Sequence, residues 1–431
     1  MYDTIIVGGG ITGLQLGALL ANDGEKVLLL EKGARLGGRA AVVKRKGFLV
    51  DYGIHLIRFG PESAVSKTCR QLGHEIEYNS LGTSWVKDVD GKIKVFPTGP
   101  KLFLTTKLLG VRDKIKAAKL LGQIRKGAHS QELREKSVKE WLDENNVQGG
   151  LRRYFHLVSA SMMVCPFIER TSVGEMFENM QKVLQTGISV MYPKGGWQPL
   201  INLFKDKIEE QGEIRLKAPV KRLNVEGGKV TGVYVEDEEL ISANKVVLTM
   251  PSFELPSLLP DRVDPDFVES CKTNNPTSGI VLDYGLQNPV SDIDGLCYMY
   301  HPMSFGMFTS NVEPSLAPEG KQHLTWLQPV DSKKIKQKQW AKKKCEELEK
   351  NLFNFFPRLE DSIEWRRVLY LPVVDGTEVN IHQTEDKRPS SVVPGVNNLF
   401  LVGDSIAAPG AGGDVGHEAV HVTYNKIKED S

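Results

Sequence analysis

The stretch Val7-Gly8-Gly9-Gly10-Ile11-Thr12-Gly13 lies near the start of the chain, between a β-type run and an apolar helix-type run. The Thr4–Val7 run predicts a buried parallel strand, and the leucine-rich segment after the glycines predicts a helix that ends near Gly24. Val27–Leu30 then predicts a second strand, which Glu31 follows directly. This order of elements predicts the first βαβ unit of a Rossmann-type domain that binds a dinucleotide.

The residues of the glycine turn have separate tasks in such a cradle. Gly8 permits the tight turn, Gly10 lets the backbone approach a pyrophosphate, and Gly13 permits close packing of helix on strand. The helix N-terminus then faces the anion, and Glu31 is expected to accept hydrogen bonds from the adenosine ribose. The alternative, an ordinary βαβ turn without a ligand, is disfavoured by the complete register of elements. The residues predicted to contact the cofactor here are Gly8, Gly10, Ile11, Thr12, Gly13, Glu31 and Lys32.

The composition is that of an ordinary globular protein whose 431 residues suffice for two or three domains. The 55 basic residues are balanced by 54 acidic residues, which argues against a nucleic-acid binder. Five widely spaced cysteines form no C-x-x-C pair, so neither a disulfide framework nor a metal site is indicated. No apolar run approaches the roughly 20 residues that span a bilayer. These features predict a cytoplasmic protein, either free or attached to a membrane surface.

Further glycine and acid motifs indicate a nucleotide domain assembled from separated segments. Gly37-Gly38-Arg39 suggests backbone folded against a phosphate, with the guanidinium free to bind it. Residues 214–235 predict a hairpin series, residues 245–251 a closing buried strand, and residues 398–404 another buried strand that ends in an acid. We predict a cofactor domain formed by residues 1–60, 191–255 and 386–431, and a substrate domain formed by residues 61–190 and 256–385.

Together these segments resemble the flavin-dependent amine oxidase and phytoene desaturase superfamily. The resemblance is carried by the two-glycine-arginine element, Phe48-x-x-Asp51-x-Gly53, the region of Val220, and Gly403-Asp404 with its glycine loop. It covers both ends and the middle of the chain and is weaker in the intervening segments. It implies an α/β fold, with a Rossmann-type FAD-binding domain (GR2-like) and an inserted α+β substrate domain. It also implies an oxidoreductase that holds FAD without covalent attachment.

The resemblance implies roles for individual residues. Arg39 would bind the pyrophosphate and flavin side, the Val220 backbone the adenine, and Asp404 a ribityl hydroxyl. The glycine loop would open the last helix with its N-terminus aimed at flavin N1 and O2, where a helix dipole stabilises reduced flavin. The ordinary alternatives are a helix or turn cap for Asp404 and a surface salt bridge for Arg39. The cofactor residues implied in this way are Gly38, Arg39, Val220, Gly403, Asp404, Gly413, Asp414 and Val415.

Three residues are candidates for the active site. His55 lies just beyond the Asp51 and Gly53 element, and His417 lies one turn into the flavin-facing helix. Trp197 follows a double glycine that lets its loop approach the flavin ring. The alternatives are structural histidines with satisfied hydrogen bonds and a tryptophan packed in the core. No catalytic triad is predicted, because flavin hydride transfer depends mainly on orientation and exclusion of water.

Two departures from the amine oxidase pattern favour the phytoene desaturase-like branch. Residues 285–300, which match the stretch that supplies a lysine in amine oxidases, contain none, and the loop 407–413 lacks an aromatic residue for an amine cage. We therefore predict hydride transfer between flavin N5 and carbon–carbon bonds of an apolar, isoprenoid or polyene-like small molecule. One alternative is an amine or amino-acid oxidase, which would release peroxide. Another is a non-enzymatic lipid-carrying escort protein of the same fold, which would be colourless.

A local charge feature bears on substrate delivery. Residues 99–126 contain eight basic residues and a single acid, Asp113, interleaved with leucines, isoleucines and a phenylalanine. A basic amphipathic helix pair of this kind rests on anionic membranes and would admit a lipid substrate directly. The alternative is a solvated helix face over the substrate domain. The sequence leaves the oligomeric state open.

Overall fold

The computed structural model of the protein describes residues 1–127, 130–236 and 239–429. The strands within these ranges are β1 (Tyr2–Val7), β2 (Val27–Glu31), β3 (Val42–Arg45), β4 (Phe48–Asp51), β5 (Ile57–Arg58), β6 (Tyr78–Ser80), β7 (Trp85–Lys87), β8 (Ile93–Val95), β9 (Val190–Pro193), β10 (Glu213–Leu216), β11 (Arg222–Glu226), β12 (Lys229–Tyr234), β13 (Leu240–Leu248), β14 (Ser278–Leu286), β15 (Cys297–Tyr300), β16 (Met303–Phe308), β17 (Gln322–Val330), β18 (Ile363–Leu371) and β19 (Leu399–Leu401). The helices are α1 (Ile11–Asn22), α2 (Ala64–Gln71), α3 (Pro100–Thr105), α4 (Val111–Gly127), α5 (Gln131–Arg134), α6 (Val138–Glu144), α7 (Gly149–Met162), α8 (Val173–Thr186), α9 (Gln198–Glu209), α10 (Pro265–Thr273), α11 (Thr309–Val312), α12 (Lys338–Phe355) and α13 (Gly413–Glu429).

The first large sheet is the Rossmann-type sheet that the sequence predicts. Its parallel part has the order β10-β2-β1-β13-β19, and the hairpin β11–β12 extends the N-terminal half of β13. The apolar runs of β1, β2 and β13 are buried on both faces, as is usual where helices cover a parallel sheet. The predicted hairpin series is wrong at its start, because β10 pairs with β2 in parallel, whereas β11, β12 and the N-terminal half of β13 are consecutive antiparallel strands.

The second large sheet has the order β18-β14-β17-β16-β15-β7-β8. Its strands come from both segments that interrupt the first sheet, and α12 packs on one face through buried leucines and phenylalanines. The apolar pattern and Pro357 predict a helix over residues 332–356, but α12 begins only at Lys338. Asp331 explains the later start, because its carboxylate accepts hydrogen bonds from the backbone of Lys333 and Lys334 and closes a separate turn.

Helices α3 to α8 form a layer that faces the other side of the second sheet. Their buried side chains form a core with β14, β16 and β17. The predicted basic helix pair is confirmed as α3 and α4. Among the helices of the described ranges, none is both long and apolar enough to cross a membrane. The helical layer, the second sheet and the Rossmann-type sheet enclose the cavity described next.

Candidate functional site

A continuous cavity of about 1100 Å³ joins the glycine turn after β1 to the helical layer. Most of the residues that the sequence assigns to the cofactor line its walls. Those that reach the cavity are Gly8, Gly10, Ile11, Thr12, Glu31, Lys32, Gly38, Arg39, Val220, Asp404, Gly413 and Asp414. Gly13, Gly403 and Val415 do not reach its surface, although each adjoins a residue that does. The segments at both ends and in the middle of the chain therefore converge on one site.

The glycine turn leaves an open surface above a tightly packed base. Gly8 has φ +114°, and a Cβ there would overlap the hydroxyl of Thr249. A Cβ at Gly13 would overlap the carbonyl oxygen of Gly8, so α1 packs closely on β1. A Cβ at Gly10 would meet no atom within 4 Å, because this glycine faces the cavity. These contacts fit the roles that the sequence predicts for a pyrophosphate cradle.

Glu31 is held in place at the end of β2. Its two carboxylate oxygens accept hydrogen bonds from the backbone N–H groups of Gly9 and Gly33, each at 2.6 Å. Each oxygen keeps a further lone pair, so the carboxylate can also accept ribose hydroxyls from the cavity. Lys32 and Val220 line the same end. This end of the cavity therefore fits an adenosine group.

The two-glycine-arginine element packs against the glycine turn. Gly37 donates a backbone hydrogen bond to the carbonyl oxygen of Gly9 at 2.8 Å. A Cβ at Gly38 would lie 3.0 Å from the Cα of Gly10, so only glycine fits comfortably between the two turns. The element thereby carries Arg39 into the cavity wall beside the predicted pyrophosphate site.

Arg39 forms a two-point ion pair with Asp404, which the sequence analysis did not predict. Both guanidinium Nη atoms lie 2.6 Å from the carboxylate oxygens, and Nη1 also donates to the carbonyl oxygen of Val374. The Arg39 side chain is 41% exposed, and its exposed part faces the cavity. It thus keeps free surface toward a ligand while Asp404 holds its orientation. Its role toward the pyrophosphate, and that of Asp404 toward a ribityl hydroxyl, stay predictions.

The charge of Asp404 is stabilised despite its burial. Burial alone would raise the pKa of Asp404, but Arg39 and the backbone N–H of Gly376 bring this pKa below its usual value. The neighbouring Asp375 lines the cavity, and burial together with the charge of Asp404 raises its pKa to about 6. Sequence reasoning placed residues 373–376 in the substrate domain and missed their contact with this site. The Asp-Gly pair at 375–376, typical of a turn, was the available signal.

The three candidate active-site residues come together on the cavity wall. Trp197 stacks on His417 with ring centroids 5.9 Å apart, meets His55 edge to face, and donates its indole N–H to the carbonyl oxygen of His55. His417 Nδ1 lies 2.6 Å from the side-chain oxygen of Gln15. Burial lowers the pKa of both histidines to about 4, so both are neutral at pH 7. The three side chains form a packed aromatic wall, and neither histidine ring carries a positive charge at pH 7.

The far half of the cavity is apolar. Helices α3, α4, α7 and α8 and strands β15 and β16 contribute aromatic and aliphatic side chains, among them Phe103, Tyr154, Phe155, Met180, Tyr298 and Phe305. Among the described residues that line the cavity, the lysines are Lys32 beside Glu31 and Lys114 on α4. The second sheet contributes none. An amine oxidase lysine beside the flavin therefore has no counterpart in this lining.

Comparison with known proteins supports the class that the site indicates. The family model for flavin containing amine oxidoreductases matches residues 11–417. A zeta-carotene-forming phytoene desaturase of Myxococcus xanthus is 24% identical, over 95% of this chain and 90% of the relative. A 4,4'-diapolycopen-4-al dehydrogenase of Metabacillus indicus is 23% identical, over 99% of this chain and 96% of the relative. The crystal structure of an oxidoreductase from Methanosarcina mazei has the same fold, with a TM-score of 0.84, 20% identity and coverage of 99% and 100%.

The chain belongs to the family of flavin containing amine oxidoreductases. It is an FAD-dependent oxidoreductase related, at low identity, to carotenoid desaturases. The glycine turn, Glu31 and the Arg39–Asp404 pair are the residues of this chain that fit the cofactor.

Proposed function

We propose that this protein catalyses hydride transfer between FAD and carbon–carbon bonds of an apolar, isoprenoid or polyene-like molecule. The observation that carries the proposal is the direct continuity of the predicted flavin site with a deep apolar cavity. The two relatives named above, which bear the names of carotenoid-modifying enzymes, support the same substrate class. Bound FAD supplies the hydride acceptor or donor.

The chain itself contributes orientation and exclusion of water. The aromatic walls at Tyr154, Phe155 and Tyr298 confine a long unsaturated chain and align one of its carbon–carbon bonds with the site. His417 is buried, His55 is partly buried and both are neutral at pH 7, so they keep the site unhydrated without exchanging a proton. The Arg39–Asp404 pair orients the guanidinium toward the predicted pyrophosphate position.

The experiment is a substrate panel with the yellow holoprotein under anaerobic conditions. Prenyl lipids, carotenoid precursors and primary, secondary and polyamines are added separately, and products are identified by mass spectrometry. We expect a change of two hydrogens in an isoprenoid and none in the amines. Reduction of the flavin by an amine, with peroxide released once oxygen is admitted, would instead establish the amine oxidase alternative. Colourless protein that takes up no added FAD would point to the escort alternative.

We further propose that α3 and α4 rest on an anionic membrane and deliver the substrate. Leu104, Val111 and Ile115 are exposed by 71%, 75% and 54%, unusually high values for large apolar side chains. Basic residues surround them, and Lys101, Lys107, Arg112 and Lys119 are exposed. The side chains of Arg125 and Lys126 lie outside the described part of the chain. Leu104, Lys114 and Leu121 also line the cavity, so this face adjoins its wall.

Vesicle flotation tests membrane binding independently of catalytic activity. We expect binding to vesicles that contain phosphatidylserine and little binding to phosphatidylcholine alone, because the basic residues select anionic lipid. Replacing Leu104, Val111 and Ile115 together by serine is expected to abolish flotation. The matched control replaces Leu216 and Leu240, two exposed leucines of the Rossmann-type sheet, and is expected to float like the original. Equal binding of both variants would contradict this part of the proposal.

A further inference from the structure

Arg58 is a guanidinium on the cavity wall without a carboxylate partner. It lies on the short strand β5 and lines the cavity close to Met162, Met180 and Val190. Its Nη1 donates to the carbonyl oxygen of Met162 at 2.7 Å, and its Nη2 donates to Asn179 Oδ1 at 3.0 Å. Among the described residues, no acidic oxygen lies within the 4.0 Å of an ion pair. Both of its direct partners are neutral.

Other arginines in the interior have acidic partners. Arg388 pairs with Glu175 at 2.6 Å, and Arg367 pairs with Asp283 at 2.8 Å. Arg39 pairs with Asp404 in the same cavity. An interior charge is costly unless an opposite charge compensates it. The contrast therefore indicates that the anion for Arg58 comes from a ligand and not from the chain.

The carboxyl groups that attract Arg58 compensate its positive charge only weakly. Asp414 and Asp375 both attract it, but from beyond ion-pair distance. Burial raises the pKa of each carboxyl to about 6, so each is itself costly to ionise. Burial correspondingly lowers the pKa of Arg58. The guanidinium thus retains unsatisfied charge on the cavity side.

The free hydrogens of Arg58 define the ligand chemistry. A guanidinium has five N–H donors, and two of the four Nη hydrogens are used by Met162 and Asn179. One hydrogen on each Nη atom remains, together with the buried Nε–H, for which the described residues supply no partner, and these donors can serve the two oxygens of a carboxylate. A diphosphate would carry more negative charge than one guanidinium balances, and Asp414 and Asp375 would repel it. A single carboxylate is the better fit.

We propose that Arg58 binds a terminal carboxylate of an otherwise apolar substrate and thereby sets which carbon–carbon bond reaches the flavin. This inference rests on the proposed function, because it assumes that the apolar cavity holds the substrate. Arg58 is then a specificity-determining residue. An acid-terminated isoprenoid would enter with its hydrocarbon chain among the aromatic walls and its carboxylate at β5.

The test compares an acid with its own ester on the holoprotein. Geranylgeranoic acid and methyl geranylgeranoate are titrated separately, and binding is followed by the perturbation of the flavin absorption spectrum. We expect the acid to bind at least about tenfold more tightly, as a charge-assisted hydrogen bond requires. Arg58→Gln is expected to bring this ratio close to one, and Arg58→Lys to retain part of it. Lys114→Gln, which alters another cation of the cavity wall, is the matched control and is expected to keep the ratio.

Equal affinity of the unaltered protein for acid and ester would overturn the proposal, whether or not the variants fold. An unchanged ratio in Arg58→Gln, together with a shifted flavin midpoint potential, would also overturn it and assign Arg58 to the cofactor. Failure of the proposed function has a different signature. In that case no isoprenoid is oxidised or reduced, while the acid-to-ester ratio still reports on Arg58.

Discussion

Arg39 and Asp404 are 365 positions apart in the chain and form a two-point ion pair in the wall of the cofactor cavity. Arg39 follows the second β-strand, whereas Asp404 follows the last one. The pair therefore joins the two ends of the chain at the place where the cofactor segments meet. It also explains how an arginine can face the cavity in a fixed orientation, because both Nη atoms are held from the opposite side.

The first prediction concerns this pair. Asp404→Ala is expected to weaken FAD binding about 10- to 100-fold, because it frees Arg39 and removes hydrogen bonds to a charged group worth roughly 1.5–3 kcal/mol. The measurement is a fluorescence titration of the apoprotein with FAD. Glu346→Ala, on the exposed face of α12, is the control and is expected to leave affinity unchanged. Because the pKa of Asp404 is depressed, its contribution is present near neutral pH and is lost as pH falls through that pKa. Unchanged affinity in Asp404→Ala would refute the assignment.

The second prediction separates two glycines of the same turn. Gly13→Ala is expected to lower the free energy of unfolding by roughly 1–3 kcal/mol, because its methyl group would overlap the carbonyl oxygen of Gly8. Gly10→Ala is expected to fold normally, since a Cβ there meets no protein atom, but to lose FAD. Chemical denaturation and the flavin absorbance of the purified variants measure the two effects. A yellow Gly10→Ala protein would show that the pyrophosphate lies elsewhere.

The third prediction concerns the neutral histidines. The pKa of His55 is lowered to about 4, so between that pH and about 6.5 the unfolded chain binds more protons than the folded chain. His55 therefore costs stability as pH falls through this window, by up to roughly 1.4 kcal/mol per pH unit. The free energy of unfolding of His55→Gln minus that of the unaltered protein is therefore expected to be larger at pH 5 than at pH 7. Urea denaturation at both pH values tests this, and an unchanged difference would mean that folding does not shift the pKa of His55.

The fourth prediction has the opposite sign. Burial raises the pKa of Asp51 to about 7, against a hydrogen bond from Tyr192 that lowers it. Between about pH 4 and 7 the folded chain binds more protons, so Asp51 reduces stability as pH rises. Asp51→Asn keeps an acceptor for the Tyr192 hydroxyl and is expected to gain stability relative to the unaltered protein as pH rises through this range. A parallel pH dependence of the two proteins would contradict the raised pKa.

Local sequence patterns were sufficient to predict the glycine turn and the acid at the end of β2. The turn from Gly8 to Gly13 and the acid at Glu31 are set by steric and hydrogen-bonding demands within one βαβ unit, so the sequence predicts them directly. The helix pair α3 and α4 likewise follows from its periodicity. The division of the chain into cofactor and substrate domains stays a prediction, although the strand order of the two sheets supports it.

Contacts between distant segments could not be predicted in the same way. The partner of Arg39 depends on how two ends of the chain meet, which no local pattern encodes. No local sequence pattern distinguishes Arg58 from other arginines. Only the fold shows that it lies in the cavity wall and that no carboxylate of the described residues pairs with it. The late start of α12 has a different cause. The apolar pattern continues to residue 332, but the Asp331 carboxylate binds the backbone N–H groups of Lys333 and Lys334 and forms a separate turn before the helix.

Hydride transfer between the flavin and an isoprenoid is tested most sharply by anaerobic single-turnover spectroscopy of the holoprotein. Oxidised protein is mixed with a partly saturated isoprenoid, and photoreduced protein is mixed with a conjugated polyene, each beside an amine control. We expect one of the isoprenoids to change the flavin spectrum within a single turnover and the amines to leave it unchanged. Flavin reduced by amines, with both isoprenoids inert, would contradict it.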